Sequence, residues 1–195
     1  MNNVSNHDFN IFSPLLKKID ILEKGRVRII AIDGGSASGK TTLAAYLCKI
    51  YDATIFHMDD FFLTPEMRTR ERLYEVGGNV DRERFLAEVL LPLSQGMAIN
   101  YRPFDCSTGA FKNGIEIIPK SLVIIEGAYS MHPLLADYYD LSVFLDIGKE
   151  KQVERILKRN SPQVAKRFFE EWIPLENIYF KGTSIKKRCN LVISV

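Results

Sequence analysis

Residues Gly34-Gly35-Ser36-Ala37-Ser38-Gly39-Lys40-Thr41 follow the pattern Gly-x-x-x-x-Gly-Lys-Thr, a spacing suited to holding phosphate. Gly34, Gly35 and Gly39 permit backbone conformations and a close approach that a Cβ would obstruct. The loop's exposed N–H groups converge on the phosphates at the positive end of the helix that follows. Lys40 reaches the β- and γ-phosphates as a point charge, and the Thr41 hydroxyl ligates Mg²⁺. Ser36, Ala37, Ser38 and Thr42 complete the stretch expected to touch the nucleotide. The flanks supply the required strand–loop–helix context, with the apolar run Val27–Ile32 before the loop and Thr42-Leu43-Ala44-Ala45-Tyr46-Leu47 after it. The chain is expected to bind a nucleoside triphosphate, which leaves the destination of the phosphoryl group to the other residues.

Ligands in open α/β sheets collect beyond the carboxyl ends of the strands, and two further strand ends carry acids. Leu122-Val123-Ile124-Ile125 runs into Glu126, a Walker B pattern. Glu126 is expected to hold Mg²⁺ directly or through water; the plainer reading is a strand-end acid capping a turn. Thr54-Ile55-Phe56-His57-Met58 runs into Asp59 and Asp60. Adjacent side chains leave a strand in opposite directions, so the two acids take separate jobs. One accepts the proton of an attacking hydroxyl; the other ligates metal through water or caps the following turn. His57 reads as a satisfied core histidine. Asp81, just before the helical pattern at Arg82, is a natural N-cap, with Arg84 where a capping box would have an acid.

The elements that must position these groups alternate. Strands are expected at Val27–Ile32, Thr54–His57, Leu122–Ile125, Leu141–Leu145 and Asn190–Val195. Helical patterns fall at Ile11–Leu22, Thr41–Tyr51, Arg82–Leu93, Pro133–Tyr139 and Glu150–Lys158. Continuous apolar strands alternating with helices predict a three-layer α/β/α fold of the P-loop NTPase type around a mainly parallel sheet. Ala98–Phe104 and Gly114–Ile118 predict a small β-hairpin insertion over 98–118, and 155–172 a short helical lid. Arg159–Tyr179 reads as helix, with Pro162 near a start and Pro174 forcing a break or restart. The expected organisation is a helical N-terminal extension over 1–24, frayed at 1–8, and one domain over 25–195.

Composition sets the class. The 195 residues suit one domain with a substantial core, and 46% hydrophobic with 26% charged residues is an ordinary globular profile. A formal net charge of +2 argues against nucleic acid or a membrane surface as the main partner. Cys48, Cys106 and Cys189 show neither metal-ligand nor redox spacing. The N-terminus has no basic segment followed by an apolar one, so no signal peptide is expected, and no apolar run reaches bilayer length. A cytoplasmic protein is the simplest reading.

Taken together, these pieces resemble the uridine kinase family and its relatives among the P-loop kinases, including the nicotinamide riboside kinases. The resemblance covers nearly all of 26–195. Met58-Asp59-Asp60-Phe61-Phe62 is similar to the family's segment bearing the general base, which implies Asp59 in that role. Asn79-Val80-Asp81 resembles an Asn-Phe-Asp whose Asp hydrogen-bonds ribose hydroxyls, implying a sugar contact for Asp81. Phe169-Glu170-Glu171-Trp172-Ile173-Pro174 is similar to a segment that follows the mobile lid, and Arg155 and Arg159 are the implied phosphate clamps, four residues apart on one helical face. Uridine kinases carry Tyr-Asp-Phe-x-x-His in the hairpin, where Tyr and His contact the pyrimidine. Here the stretch reads Phe104-Asp105-Cys106-Ser107-Thr108-Gly109: the Asp survives, the phenol and the imidazole do not. Phe62, Phe104 and Asp105 remain candidate acceptor contacts.

The resemblance implies an ATP- and Mg²⁺-dependent kinase, forming a homo-oligomer, that phosphorylates a hydroxyl of a nucleoside or nucleoside-like acceptor. Nicotinamide riboside, a vitamin or a sugar is the alternative acceptor. A regulatory NTPase is the rival from another class, although no guanine-reading Asn-Lys-x-Asp occurs. A binding protein that has lost its acceptor is a further reading, opposed by intact Lys40, Thr41, Asp59 and Glu126.

Overall fold

The computed structural model describes residues 10–195, so the segment 1–8, expected to fray, lies outside the described residues. In chain order its strands are β1 (Arg28–Gly34), β2 (Thr54–His57), β3 (Ile99–Tyr101), β4 (Phe104–Asp105), β5 (Ala110–Phe111), β6 (Ile115–Ile117), β7 (Leu122–Glu126), β8 (Leu141–Asp146) and β9 (Leu191–Ser194). Five of them form one sheet in the order β2-β7-β1-β8-β9, and every pairing in it is parallel. Apolar runs without alternation produce this arrangement because both faces are covered. Along β1, Ile29 and Ala31 enter one core while Ile30 and Ile32 enter the other. Val123 and Ile125 of β7 follow the first face, Leu122 and Ile124 the second. The helix Ser13–Asp20 buries Leu15 and Ile19 in the second core, so it forms part of that layer.

Register decides where the acids emerge. Glu126 at the end of β7 stands beside His57 of β2 and Ile32 of β1, level with the carboxyl edge of the sheet. The helix Lys40–Tyr51 starts at that same edge. Among the described residues no helix is long and apolar enough to cross a membrane.

Several elements differ from expectation for identifiable reasons. The pattern at Pro133–Tyr139 yields only a 3₁₀ turn, Ala136–Tyr138, within a chain of i→i+3 hydrogen bonds. Asp140 N–H already bonds Ile29 O at 2.8 Å, which ties the segment back to β1 before an α-helix can develop. Pro174 does not break its helix. The π-helical turn Phe168–Trp172 joins Pro162–Arg167 to Ile173–Thr183. A π turn also runs over Leu86–Leu90, two residues before Pro92, between Arg82–Phe85 and Leu91–Ser94. In both places the wider turn relieves the clash between the proline ring and the carbonyl four residues earlier. The hairpin splits into two ladders, β3–β6 and β4–β5, at Arg102-Pro103, where proline has no N–H to continue the pairing.

Phe85 is wholly buried and meets Phe61 edge-to-face at 4.9 Å, which anchors the loop bearing Asp59 to the helix at Arg82. Phe85→Ala is expected to lower stability by about 3–5 kcal/mol in urea denaturation. A loss below about 1 kcal/mol would show that this contact does not hold the loop.

Candidate functional site

The phosphate loop is shaped by close packing at its start. A Cβ on Gly34 (φ 147°) would lie 2.5 Å from Leu145 O of the neighbouring strand. Ala37 and Gly39 take left-handed backbone at φ 61° and 99°, which turns successive N–H groups inward. Gly39 caps the helix Lys40–Tyr51 without any side-chain bond, so the helix's first N–H groups stay open to a phosphate. Lys40 Nζ donates to Gly34 O at 2.9 Å and Gly35 O at 3.0 Å, lying across the cradle. Three side chains grip the loop from outside. Gln152 Nε2 donates to Ser36 O at 2.9 Å, and Arg155 donates to Ala37 O at 3.0 Å and Ser38 O at 3.4 Å. Glu176 accepts from Ser36 N at 2.9 Å and from Ser36 Oγ at 2.6 Å. Burial raises the Glu176 pKa above the usual carboxylate range, against the pull of Lys40 and the Ser36 bonds.

Next to the loop, Thr41 Oγ1 donates to Glu126 Oε1 at 3.0 Å, and His57 Nδ1 lies 2.6 Å from the same oxygen. The hydrogen bond to Glu126 raises the His57 pKa, so this histidine serves the acid cluster instead of the core. A hydroxyl and a carboxylate side by side are the hard oxygen donors that Mg²⁺ takes, and they fit it as a partial set. Among the described residues no group of three His, Cys, Asp or Glu forms a complete cage. An ion that retains waters and shares substrate phosphates needs none.

A cavity of about 660 Å³ opens between the phosphate loop and the hairpin, lined by Ser36, Asp59, Phe62, Phe104, Tyr129 and Glu176 among others. Asp59 and Asp60 sit on a 3₁₀ turn, Met58–Phe61, and still diverge. Asp60 accepts the Tyr101 hydroxyl, while Asp59 faces the cavity. Asp59 is exposed to the cavity; desolvation by the surrounding protein raises its pKa, while Lys40 draws it back and Glu126 pushes it up again.

The other sequence candidates divide. Phe62 and Phe104 are walls of the cavity, and so is Gly109. Asp81 is buried as a cap: its Oδ1 accepts from Arg84 N at 3.0 Å, and it does not line the cavity, whereas Asn79 does. Asp105 turns onto its own loop, accepting from Ser107 N at 2.8 Å and Ser107 Oγ at 2.6 Å, and those bonds lower its pKa. Arg159 is exposed, one helical turn beyond Arg155. Thr42 lies on the exposed side of the first helical turn.

Sequence reasoning missed Asp33, Gln152 and Glu176. Asp33 is wholly buried, with Gly34 N donating to Oδ1 at 2.7 Å and both Met131 N (2.9 Å) and the Tyr179 hydroxyl (2.8 Å) donating to Oδ2. Burial raises its pKa in spite of these bonds. Its signal was visible: an acid closing the apolar run Ile29-Ile30-Ala31-Ile32, directly before the glycine loop. For Gln152 and Glu176 no local pattern exists.

Comparison with known proteins agrees with this geometry. The model of the phosphoribulokinase / uridine kinase family matches residues 29–164. A uridine kinase of Staphylococcus haemolyticus (strain JCSC1435) is 26% identical over 182 residues, covering 85% of this chain and 86% of that protein. Uridine kinase-like protein 3 of Arabidopsis thaliana is 24% identical over 151 residues, 71% of this chain but only 32% of that protein's length. The solved structure of a possible uridine kinase from Bacillus stearothermophilus shares the fold with a TM-score of 0.72 at 20% identity, covering 96% of this chain and 99% of that one.

Asp33→Asn replaces one acceptor by an amide donor facing another donor, and is expected to cost about 1–3 kcal/mol for each N–H or O–H left unmatched. An unchanged urea midpoint would remove Asp33 as the tie between strand end and loop. His132 gives a pH signature. Its Nδ1 accepts from Leu134 N at 3.2 Å, and burial, with Arg82 adding to it, lowers its pKa to about 4. The unfolded chain takes up this proton near pH 6.5 and the folded one does not. Its contribution is therefore intact above that pH and lost as pH falls toward about 4. His132→Gln should flatten that part of the stability profile; an identical profile would refute the assignment.

Proposed function

The chain belongs to the phosphoribulokinase / uridine kinase family, and on that premise we propose that it is an ATP-dependent kinase transferring the γ-phosphoryl group to a hydroxyl of a nucleoside or nucleoside-like acceptor. The observation that carries the reading is that Asp59 and Ser36 of the phosphate loop line one cavity. A hydroxyl beside Asp59 then faces a triphosphate held at Gly34–Thr41. Asp59 takes the hydroxyl proton as the oxygen attacks the γ-phosphorus in line. Its raised pKa makes it a better base than an ordinary carboxylate. Lys40 swings from the Gly34 and Gly35 carbonyls to the β- and γ-phosphate oxygens, and Arg159 closes over them while Arg155 keeps the loop in shape. Thr41 and Glu126 hold Mg²⁺, which neutralises charge on the phosphate oxygens when bound. Most of the acceleration comes from positioning and charge stabilisation.

A different acceptor, such as nicotinamide riboside, a vitamin or a sugar, is the second reading. Phe104 and Gly109, at the positions of the pyrimidine-reading Tyr and His, both line the cavity without a polar side-chain group. A site lacking those bonds loses discrimination for the base.

Asp59→Asn is expected to lower acceptor-stimulated ADP release by about 10²–10⁴-fold while calorimetry finds nucleotide affinity unchanged. Turnover near the wild-type rate would take the base role from Asp59. Lys40→Ala should abolish turnover and weaken triphosphate binding, and retention of both would sink the assignment of the phosphate loop.

A further inference from the structure

Beyond the cavity that holds Asp59 lies a second one of about 510 Å³, and Arg68, Asn79 and Tyr129 line both. Its walls are apolar at Leu73, Leu175 and Ile178. Its charged residues are Arg68, Arg70 and Glu75, and they do not balance. Glu75 is paired with both Arg72 and Arg82. Among the described residues neither Arg68 nor Arg70 has a carboxylate within ion-pair distance; Arg70 bonds only the Tyr74 hydroxyl, at 3.3 Å. Tyr129 adds a buried hydroxyl at the seam, with the Asn79 side chain beside it. Its backbone stands at φ 75°, a conformation costing a side-chain-bearing residue roughly 1–2 kcal/mol. The neighbouring bonds from Met131 N to Asp33 and from the Tyr139 hydroxyl to Ser130 O hold it there.

The site is therefore polarised. Asp59, Glu126 and Glu176 stand at the phosphate-loop end, and the uncompensated guanidiniums stand at the other. Asp59 and Arg68 line the same cavity, so one small molecule can reach both. A neutral base would leave the charge on Arg68 uncompensated.

We propose that the phosphoryl acceptor carries an anionic group, carboxylate or phosphate, on a hydroxylated stem. Arg68 receives that group with Arg70 behind it and the Tyr129 hydroxyl beside it, while the acceptor's hydroxyl meets Asp59. This rests on the kinase reading above and replaces recognition of a base by recognition of a charge. The field also orients the molecule, since the acids at the loop end repel the anionic end and the arginines attract it.

The test uses the full chain and two matched pairs of probes, D-glycerate against glycerol and ribose 5-phosphate against ribose. Calorimetry reads binding, and acceptor-stimulated ADP release reads transfer. At least one anionic probe should bind tenfold or more tighter than its neutral partner; glycerate identifies a carboxylate, ribose 5-phosphate a phosphate. Arg68→Gln should erase that preference and raise KM for the anionic acceptor with little change in kcat, and Arg68→Lys should restore part of it. Arg68 is exposed and makes no side-chain bond, so these variants should fold. Equal binding of both partners, a preference that survives Arg68→Gln, or no binding of either anion by protein that still binds nucleotide would overturn the proposal. Anion binding without transfer would uphold the subsite and bring down the kinase reading. Transfer to uridine with no anion preference would do the reverse.

Discussion

One buried carboxylate ties the site together. Asp33 accepts from the first N–H of the phosphate loop, from the backbone after β7 and from Tyr179 on the C-terminal helix. Those three segments are distant in sequence, and each brings a different part of the chemistry. The loop holds phosphate, the strand end after β7 presents Glu126, and the helix carries Glu176 to Ser36. In a medium where a lone polar group is expensive, three donors on one acid allow few other arrangements. The left-handed Tyr129 persists because its surroundings over-determine it.

Parallel strands then do the sorting. Their carboxyl ends lie on one edge, so His57, Glu126 and the loop after β1 meet without any of them being close in sequence. The adjacent acids on the 3₁₀ turn separate because Tyr101 takes one, which leaves Asp59 as the carboxylate facing the acceptor cavity. Arg84 secures the hairpin over this turn. Its guanidinium lies 3.9 Å from the centre of the Phe61 ring and donates to Asp60 O and Arg102 O.

Where local pattern failed, a non-local constraint had intervened. Pro133–Tyr139 carries a helical period, yet its end is tied to β1 through Asp140. Pro174 looks like a helix break on steric grounds, yet a π turn absorbs the clash while packing keeps both flanking segments helical. Two acids are instead held locally: Asp105 by Ser107 within the hairpin, and Asp81 as the helix cap that its place before Arg82 also predicts. His57 looked like core because its strand is apolar, but it stands at the strand's end, against Glu126.

The sequence by itself determined the alternating α/β fold, the phosphate loop, Asp59 and the acid at the end of β7. These are local signals: a strand, a turn and a helix whose residue types are dictated by backbone conformation and by burial on both faces. Only the tertiary structure decided which of two adjacent acids faces the cavity, that Gln152, Arg155 and Glu176 clamp the loop, and that among the described residues Arg68 and Arg70 find no carboxylate. The clamps join side chains across more than a hundred residues of chain. Contacts of that kind leave no periodicity or spacing to read, because they are set by packing of whole elements and by which charges find partners.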